Sequence, residues 1–158
     1  MSRHPLHVQT FRFPSDPESE LADAIDPSLK DGVISVDAHS VRVSLGEPPV
    51  FEVTIPRERI RSVERAADLA GRTRGVHGGR GRWLVNRSGR DLVTIHVEPE
   101  VEASLALSRV RLKDDPEIQR RRFARTLLGI ILRDRTVKVR ELTVSVVDPD
   151  RFVDAAGR

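Results

Sequence analysis

The 158-residue chain contains no cysteine and no tyrosine, and it has a single tryptophan. The lack of cysteine excludes disulfide bridges, cysteine-based zinc sites and thiol chemistry. The longest apolar run, residues 127–132, is interrupted by Gly129, and the amino terminus lacks the apolar segment of a signal peptide. The sequence therefore predicts neither a spanning helix nor a secretion signal, and we expect a cytoplasmic protein.

Motifs of catalysis and cofactor binding are missing as well. The five histidines form no His-Glu-x-x-His motif, and neither a Gly-x-Ser-x-Gly elbow nor a Walker Gly-Lys-Ser/Thr sequence is present. The clustered glycines at residues 75–81 precede an apolar strand instead of opening a helix, as a dinucleotide-binding loop would require. We therefore expect a protein that is not an enzyme and holds no metal or cofactor.

The net charge is small, but one stretch is rich in arginine and free of acidic residues. The formal net charge is only +3, yet residues 71–90 carry six arginines and six glycines with no acid. Exposed arginines are most often simply solvated, with ion pairs worth about 0–1 kcal/mol. Alternatively, a glycine-rich loop at 71–82 could direct backbone N–H groups and guanidinium groups at one anion. The candidate anion-binding or partner-binding residues are Arg72, Arg74, His77, Arg80 and Arg82.

Hydrophobic periodicity in the first half predicts short strands. Alternation at residues 6–13 indicates an edge strand, and a proline after Asp16 indicates a short helix that ends at Pro27. Residues 33–55 read as a three-stranded meander with tight turns. Residues 57–64 fit either a fourth strand or a helical turn, and residues 66–78 are expected to form a loop.

The second half combines strands with helices. Residues 83–85 and 92–97 are predicted to form a hairpin, and residues 103–112 a bulged strand. Residues 137–146 read as another strand, with a change of register near Arg140. Asp148 and Pro149 are typical of the start of a helix, which would carry Phe152.

The order of these elements, together with several motifs, resembles a bacterial pleckstrin-homology-like (PH-like) domain, and in particular uncharacterised actinobacterial proteins of unknown function. The residues that carry the resemblance are Ile55, Pro56, Ile60 and Val63, the sequence Gly-Val-His-Gly at 75–78, Gly-Arg-Trp-Leu-Val-Asn at 81–86 with Ser88, and Val-Arg-Glu-Leu-Thr-Val-Ser at 139–145 with Asp148, Pro149, Asp150 and Phe152. The resemblance implies a mainly β fold: a single split β-barrel of about seven short antiparallel strands with a short C-terminal helix. Residues 31–156 would form this barrel, and residues 1–30 would add a strand and a short helix packed on it.

One amphipathic helix at residues 115–133 looks like an insertion before the last strand. Asp115 would cap this helix, with Pro116 at its first position. Its apolar face could cover a barrel opening or pair with a second copy in a homo-oligomer, which is the interpretation we favour, or it could lie on a membrane surface. The candidate residues for contact with a partner or a membrane are Phe123, Leu127, Ile130 and Ile131.

The expected function is a non-enzymatic binding or adaptor module that recognises a protein partner. The alternative is binding of an anionic ligand, either a membrane lipid headgroup or a nucleic-acid phosphate, through the Arg/Gly-rich loop at residues 71–82. A lipid ligand would place the protein at the inner face of the membrane. Nucleic acid is the weaker candidate because Trp83, which we expect to pack inward, is the only tryptophan available to stack on a base.

Overall fold

The computed structural model describes five stretches of the chain: residues 7–14, 31–47, 49–69, 75–106 and 135–157. Residues 107–112 of the predicted bulged strand lie outside the described residues, and two predicted elements lie wholly outside them. These are the short helix after Asp16 and the amphipathic helix at 115–133, which carries the candidates Phe123, Leu127, Ile130 and Ile131.

The described residues form a mainly β fold, as predicted, with 60% of them in strands. The elements are β1 (Gln9–Phe11), β2 (Gly32–Val36), β3 (Ser40–Leu45), β4 (Phe51–Pro56), a 3₁₀ turn (Arg57–Arg59), β5 (Ile60–Arg65), β6 (Gly75–Gly79), β7 (Arg82–Asn86), β8 (Leu92–Leu105), β9 (Arg135–Ser145) and α1 (Pro149–Ala156). These stretches thus hold nine strands, where about seven were predicted. No helix in them has the length and apolar character needed to cross a lipid bilayer.

The strands build one open mixed sheet in the order β1-β2-β3-β4-β8-β9-β7-β6, and β5 pairs with β8 beside this path. Strands β7 and β9 run parallel, which departs from the antiparallel arrangement that was predicted. The other pairings are antiparallel.

The meander β2-β3-β4 confirms the prediction made from its alternating sequence. Side chains at every second position are buried because a strand directs alternate residues to opposite faces. The first turn is fixed by Asp37, whose carboxylate accepts hydrogen bonds from the backbone N–H groups of His39 (2.7 Å) and Ser40 (2.8 Å). These backbone hydrogen bonds lower the pKa of Asp37 below its ordinary value, because they stabilise the ionised carboxylate. Gly46, with φ of 97°, makes the second turn.

The segment after β4 contains both predicted alternatives, since the 3₁₀ turn leads directly into β5. Strand β5 and strand β4 pair with different halves of the long strand β8: β4 with residues 103–105 and β5 with residues 93–97. Strand β9 pairs along the opposite edge of β8. The long strand β8 therefore joins β4 and β5 on one edge to β9 on the other.

The pairing of β8 with β9 is irregular between the part of β8 that pairs with β5 and the part that pairs with β4. In β8, four residues (97–100) separate His96, which pairs with Glu141, from Val101, which pairs with Val139. In β9, only Arg140 separates Glu141 from Val139. The register change predicted near Arg140 is confirmed. The irregularity directs charged residues of both strands to the surface at one place.

The predicted hairpin between residues 83–85 and 92–97 is wrong. Strand β9 lies between β7 and β8, and β7 instead forms a hairpin with β6. The turn predicted after Asn86 is present, with the Asn86 side-chain oxygen accepting from the N–H groups of Ser88 (3.1 Å) and Gly89 (2.6 Å). That turn leads the chain across β9 into β8.

Helix α1 closes the core, as the sequence predicted. Asp148 caps it by accepting a hydrogen bond from the N–H of Arg151 (3.4 Å), and Phe152 is completely buried with its ring edge-on to Phe11 at 5.2 Å between centroids. Trp83 also packs inward, donating its Nε1–H to the Lys138 carbonyl at 3.0 Å. The largest fully buried side chains are Phe51, Phe152, Ile34, Leu45, Ile55, Leu92, Ile95 and Leu142.

Candidate binding site at the β6–β7 turn

The arginine-rich stretch contains a tight β-hairpin. Residues 75–79 form β6, so the loop predicted over residues 66–78 is wrong for this part, and the Arg/Gly-rich segment is a hairpin from residue 75 onward. Arg80 and Gly81 connect the paired residues Gly79 and Arg82. Both connecting residues have positive φ, 53° and 81°, which is the signature of a type I′ turn. Such a turn matches the right-handed twist of the two strands.

Two glycines of the hairpin are required by close packing. A Cβ atom at Gly78 would lie 2.2 Å from the carbonyl oxygen of Arg82 and 2.9 Å from the Cα of Trp83. A Cβ atom at Gly81 would lie 2.8 Å from the Cγ of Arg140. The spacing of these glycines therefore has an explanation in backbone geometry.

Gly79 differs from the other glycines of the turn. An added Cβ atom would meet nothing within 4 Å, and its φ is not in the positive range. Gly79 pairs with Arg82 at the end of β6, and the residue is exposed. The surface therefore has an open gap beside the Arg82 side chain.

A bulge in β9 brings Arg140 to the turn. The Gly81 carbonyl accepts hydrogen bonds from two successive N–H groups, those of Arg140 (2.9 Å) and Glu141 (3.0 Å). Two residues thus face one acceptor, as in a β-bulge. The alkyl part of the Arg140 side chain lies over Gly81, so that Arg80, Arg82 and Arg140 surround this glycine.

A row of charged side chains crosses the outer face of the sheet from β8 to β7. His96, Glu141 and Arg82 occupy paired positions on three adjacent strands. His96 Nε2 lies 2.9 Å from Glu64 Oε1 and its Nδ1 lies 3.9 Å from Glu141 Oε2, while Arg82 Nε lies 3.7 Å from the same Glu141 oxygen. These groups are largely solvated, so each pair stabilises the fold by about 1 kcal/mol at most.

A groove of about 590 Å³ lies at the irregular part of β8 and β9. It is lined by three arginines (Arg61, Arg82 and Arg140), three glutamates (Glu98, Glu100 and Glu141), His96 and Val97. Arg61 Nε lies 3.6 Å from Glu98 Oε2 and Arg82 contacts Glu141, but Arg140 has no ion pair within 4.0 Å in the described part of the chain. Arg140 is therefore available for an external acid, and guanidinium groups bind carboxylates and phosphates with paired hydrogen bonds.

The predicted site residues have different outcomes. Arg72 and Arg74 lie outside the described residues. His77 is exposed on β6, Arg80 is exposed in the turn, and Arg82 is exposed at the start of β7. Arg61 and Arg140 were not predicted as members of the site, although a register change was predicted near Arg140.

Within the residues the structure describes, no three histidine, aspartate or glutamate side chains are placed to hold a metal ion. No protein-family model matches the chain, and no curated protein or solved structure is significantly similar to it.

Proposed function

We propose that this chain is a non-enzymatic PH-like binding module that recognises a protein partner at the end of the sheet formed by β6 and β7. The motif resemblance at residues 75–88 and 139–152 supports the PH-like assignment. The exposed hairpin and the arginines beside it support a binding role, because an edge strand can accept an additional strand from another chain.

The observation that carries the proposal is the difference between β6 and the other strands that have one edge unpaired among the described residues. Strand β1 is only three residues long. Strand β5 has α1 beside it, where Arg57 Nη1 donates to the Ala156 carbonyl at 2.7 Å and Arg65 Nη1 contacts Asp150 at 3.0 Å.

Strand β6 has five residues and, among the described strands, pairs with β7 only. His77, Gly78 and Gly79 are exposed on it. It contains no proline, no lysine and no bulge, which are the features that commonly protect edge strands from pairing with other chains. This edge is therefore the surface best suited to a partner.

The test uses the absence of native cysteine. A single cysteine in place of Gly79 can be coupled to a maleimide–polyethylene glycol chain, which would cover the β6 edge without filling any packed space. The matched controls are the wild-type chain treated with the same reagent, which has no cysteine to couple, and the same label on Thr54→Cys, an exposed position on β4.

Each protein is immobilised and exposed to a lysate of its native host, and captured proteins are quantified by mass spectrometry. We expect the two controls to retain a common set of proteins and the label at residue 79 to remove it. Equal capture by all three proteins would contradict the proposal.

The second candidate function is binding of an anionic ligand by the arginines around Gly81. It is favoured by one observation: among the described residues Arg140 has no ion pair within 4.0 Å, although Glu98, Glu100 and Glu141 line the same groove. Sedimentation with vesicles containing phosphatidylserine, and binding of duplex DNA at two salt concentrations, test it for the lipid and nucleic-acid forms. Both should weaken in Arg140→Gln and stay unchanged in Arg42→Gln, whose arginine pairs with Glu52 on the meander at 2.8 Å. No binding at either salt concentration would end this candidate.

A further inference from the structure

The proposed partner has a recognisable chemistry. We propose that it contributes an extended acidic segment, which adds as a strand to the edge of β6 and places a glutamate carboxylate in the gap over Gly79, against Arg82. This inference rests on the proposed function, because it specifies what the β6 edge binds.

The main chain of β6 provides the first part of the recognition. In an antiparallel hairpin closed by a two-residue turn, the residues next to the turn bond to each other, and alternate residues direct their N–H and C=O groups away from the partner strand. Gly79 and Arg82 are the closing pair, so the outward groups are those of Gly78 and Val76. A segment of about five residues can align with these groups.

The charge beside β6 specifies an acidic segment. Arg80 and Arg82 follow the strand directly, and the β9 bulge adds Arg140 next to Gly81. Three described glutamates line the same groove: Glu98 contacts Arg61, Glu141 contacts Arg82 and His96, and Glu100 is exposed at its rim. A basic segment would be repelled at this end of the sheet, whereas an acidic one would form charge-assisted hydrogen bonds.

The same charge disfavours a second copy of this chain as the occupant. A second copy of β6 would supply no carboxylate, because its sequence is Gly-Val-His-Gly-Gly and Arg80 follows it. In-register parallel pairing of two β6 strands would also bring the two Arg80 residues next to each other, which is unfavourable.

Because Gly79 has no side chain, a glutamate carboxylate of the added strand has room to reach Arg82. Neighbouring strands are about 4.8 Å apart, so an added strand would lie about 10 Å from β7 across β6. Side chains on this outer face would normally meet the side chain of the intervening residue, but Gly79 has none and the space above it is open. A glutamate on the added strand and Arg82 on β7 are long enough to meet there. The residue at position 79 thus controls access to the arginine.

The experiment is a selection of random ten-residue peptides displayed on phage against the wild-type chain. The enriched peptides are synthesised, and their affinities are compared with those of versions in which every glutamate is replaced by glutamine. We expect enrichment of acidic residues at alternate positions, and glutamine versions or Arg82→Gln to bind about fivefold more weakly, near the upper value for a solvated ion pair. The variant Gly79→Leu should also bind more weakly, because its side chain would fill the gap while every charge is kept. Arg42→Gln is the charge-matched control and should bind normally.

Amide hydrogen exchange followed by NMR reports how the peptide binds. Strand addition should slow exchange of the outward amides of Val76 and Gly78, and the amides of the meander should not change. Peptide binding without this protection would overturn the strand mode. Enrichment of neutral peptides that do protect β6 would overturn the acidic specificity while leaving the proposed function intact. A selection that enriches no peptide would overturn this inference, and the label at residue 79 would then decide the proposed function independently.

Discussion

The two neighbouring glycines of β6 provide the most direct test of the hairpin, because the structure predicts opposite results for them. In Gly78→Ala, the new methyl group would lie 2.2 Å from a backbone oxygen, that of Arg82, and 2.9 Å from the Cα of Trp83. Backbone atoms of a paired strand cannot move aside as the end of a flexible side chain can. The hairpin must therefore shift as a unit.

The expected loss for Gly78→Ala is about 1–3 kcal/mol of unfolding free energy, the usual result of forcing an extra methyl group into packed structure. Gly79→Ala meets no atom within 4 Å and needs no positive φ. Its effect should lie between no change and a gain of about 1 kcal/mol, because alanine restricts the unfolded chain more than glycine does. The two variants differ by one position and carry the same chemical change, so each controls for the other.

Equilibrium unfolding in urea measures this difference, with far-UV circular dichroism reporting on the whole sheet. Trp83 is the only tryptophan and pairs with Gly78, so its fluorescence reports on the hairpin itself. Equal stabilities for the two variants, or a larger loss for Gly79→Ala, would refute the described packing of β6 on β7.

Two further predictions concern the remainder of the fold. Asp148 has φ of 58° and caps α1 by accepting the N–H of Arg151, so Asp148→Ala should cost about 1–2 kcal/mol in urea unfolding and Asp148→Asn clearly less, whereas equal losses would contradict the cap. The pKa of Asp37 is lowered by the backbone hydrogen bonds from His39 and Ser40, so its contribution to stability is complete above the ordinary pKa of 3.8 and is lost as the pH falls through the lower folded value. Asp37→Asn should therefore show a smaller drop in unfolding free energy than the wild type between about pH 5 and about pH 2.5, and identical drops would contradict this assignment.

The local alternation of apolar and polar residues was sufficient to predict the meander, because each of its strands buries one face and each turn contains residues that favour turns. Valine at positions 41 and 43 alternates with exposed or polar residues, and the structure buries both valines completely. Helix α1 was predictable for a similar reason, since Asp148 and Pro149 are strong signals of a helix start.

Strand β6 could not be predicted in this way, because only Val76 among its five residues is a large apolar residue. A glycine strand has no periodicity of hydrophobic side chains, and what fixes it here is the contact between Gly78 and the backbone of β7. The hairpin turn was hidden for a related reason. Arg80 occupies a position with positive φ where asparagine or aspartate is the common signal.

The position of β9 depends on contacts that are distant in sequence. Residues 82–85 pair in parallel with residues 141–144, and no local pattern announces such a pairing. Two apolar segments with a turn between them therefore suggested a hairpin, although a third strand separates them in the structure. The same pairing brings Arg140 into the site, which explains why the sequence indicated a register change near Arg140 but not the role of this residue.

Gly81 connects the fold and the proposed site, and this decides which substitutions are informative. Its positive φ makes the turn that carries Arg80, and its carbonyl holds the bulge that carries Arg140. A substitution at Gly81 would disturb both features together, so a loss of binding there could not be distinguished from a loss of structure. Arg82 and Gly79 are exposed, and a Cβ atom added at Gly79 would meet no other atom within 4 Å. Changes at these two positions therefore separate recognition by charge from the stability of the strand that presents it.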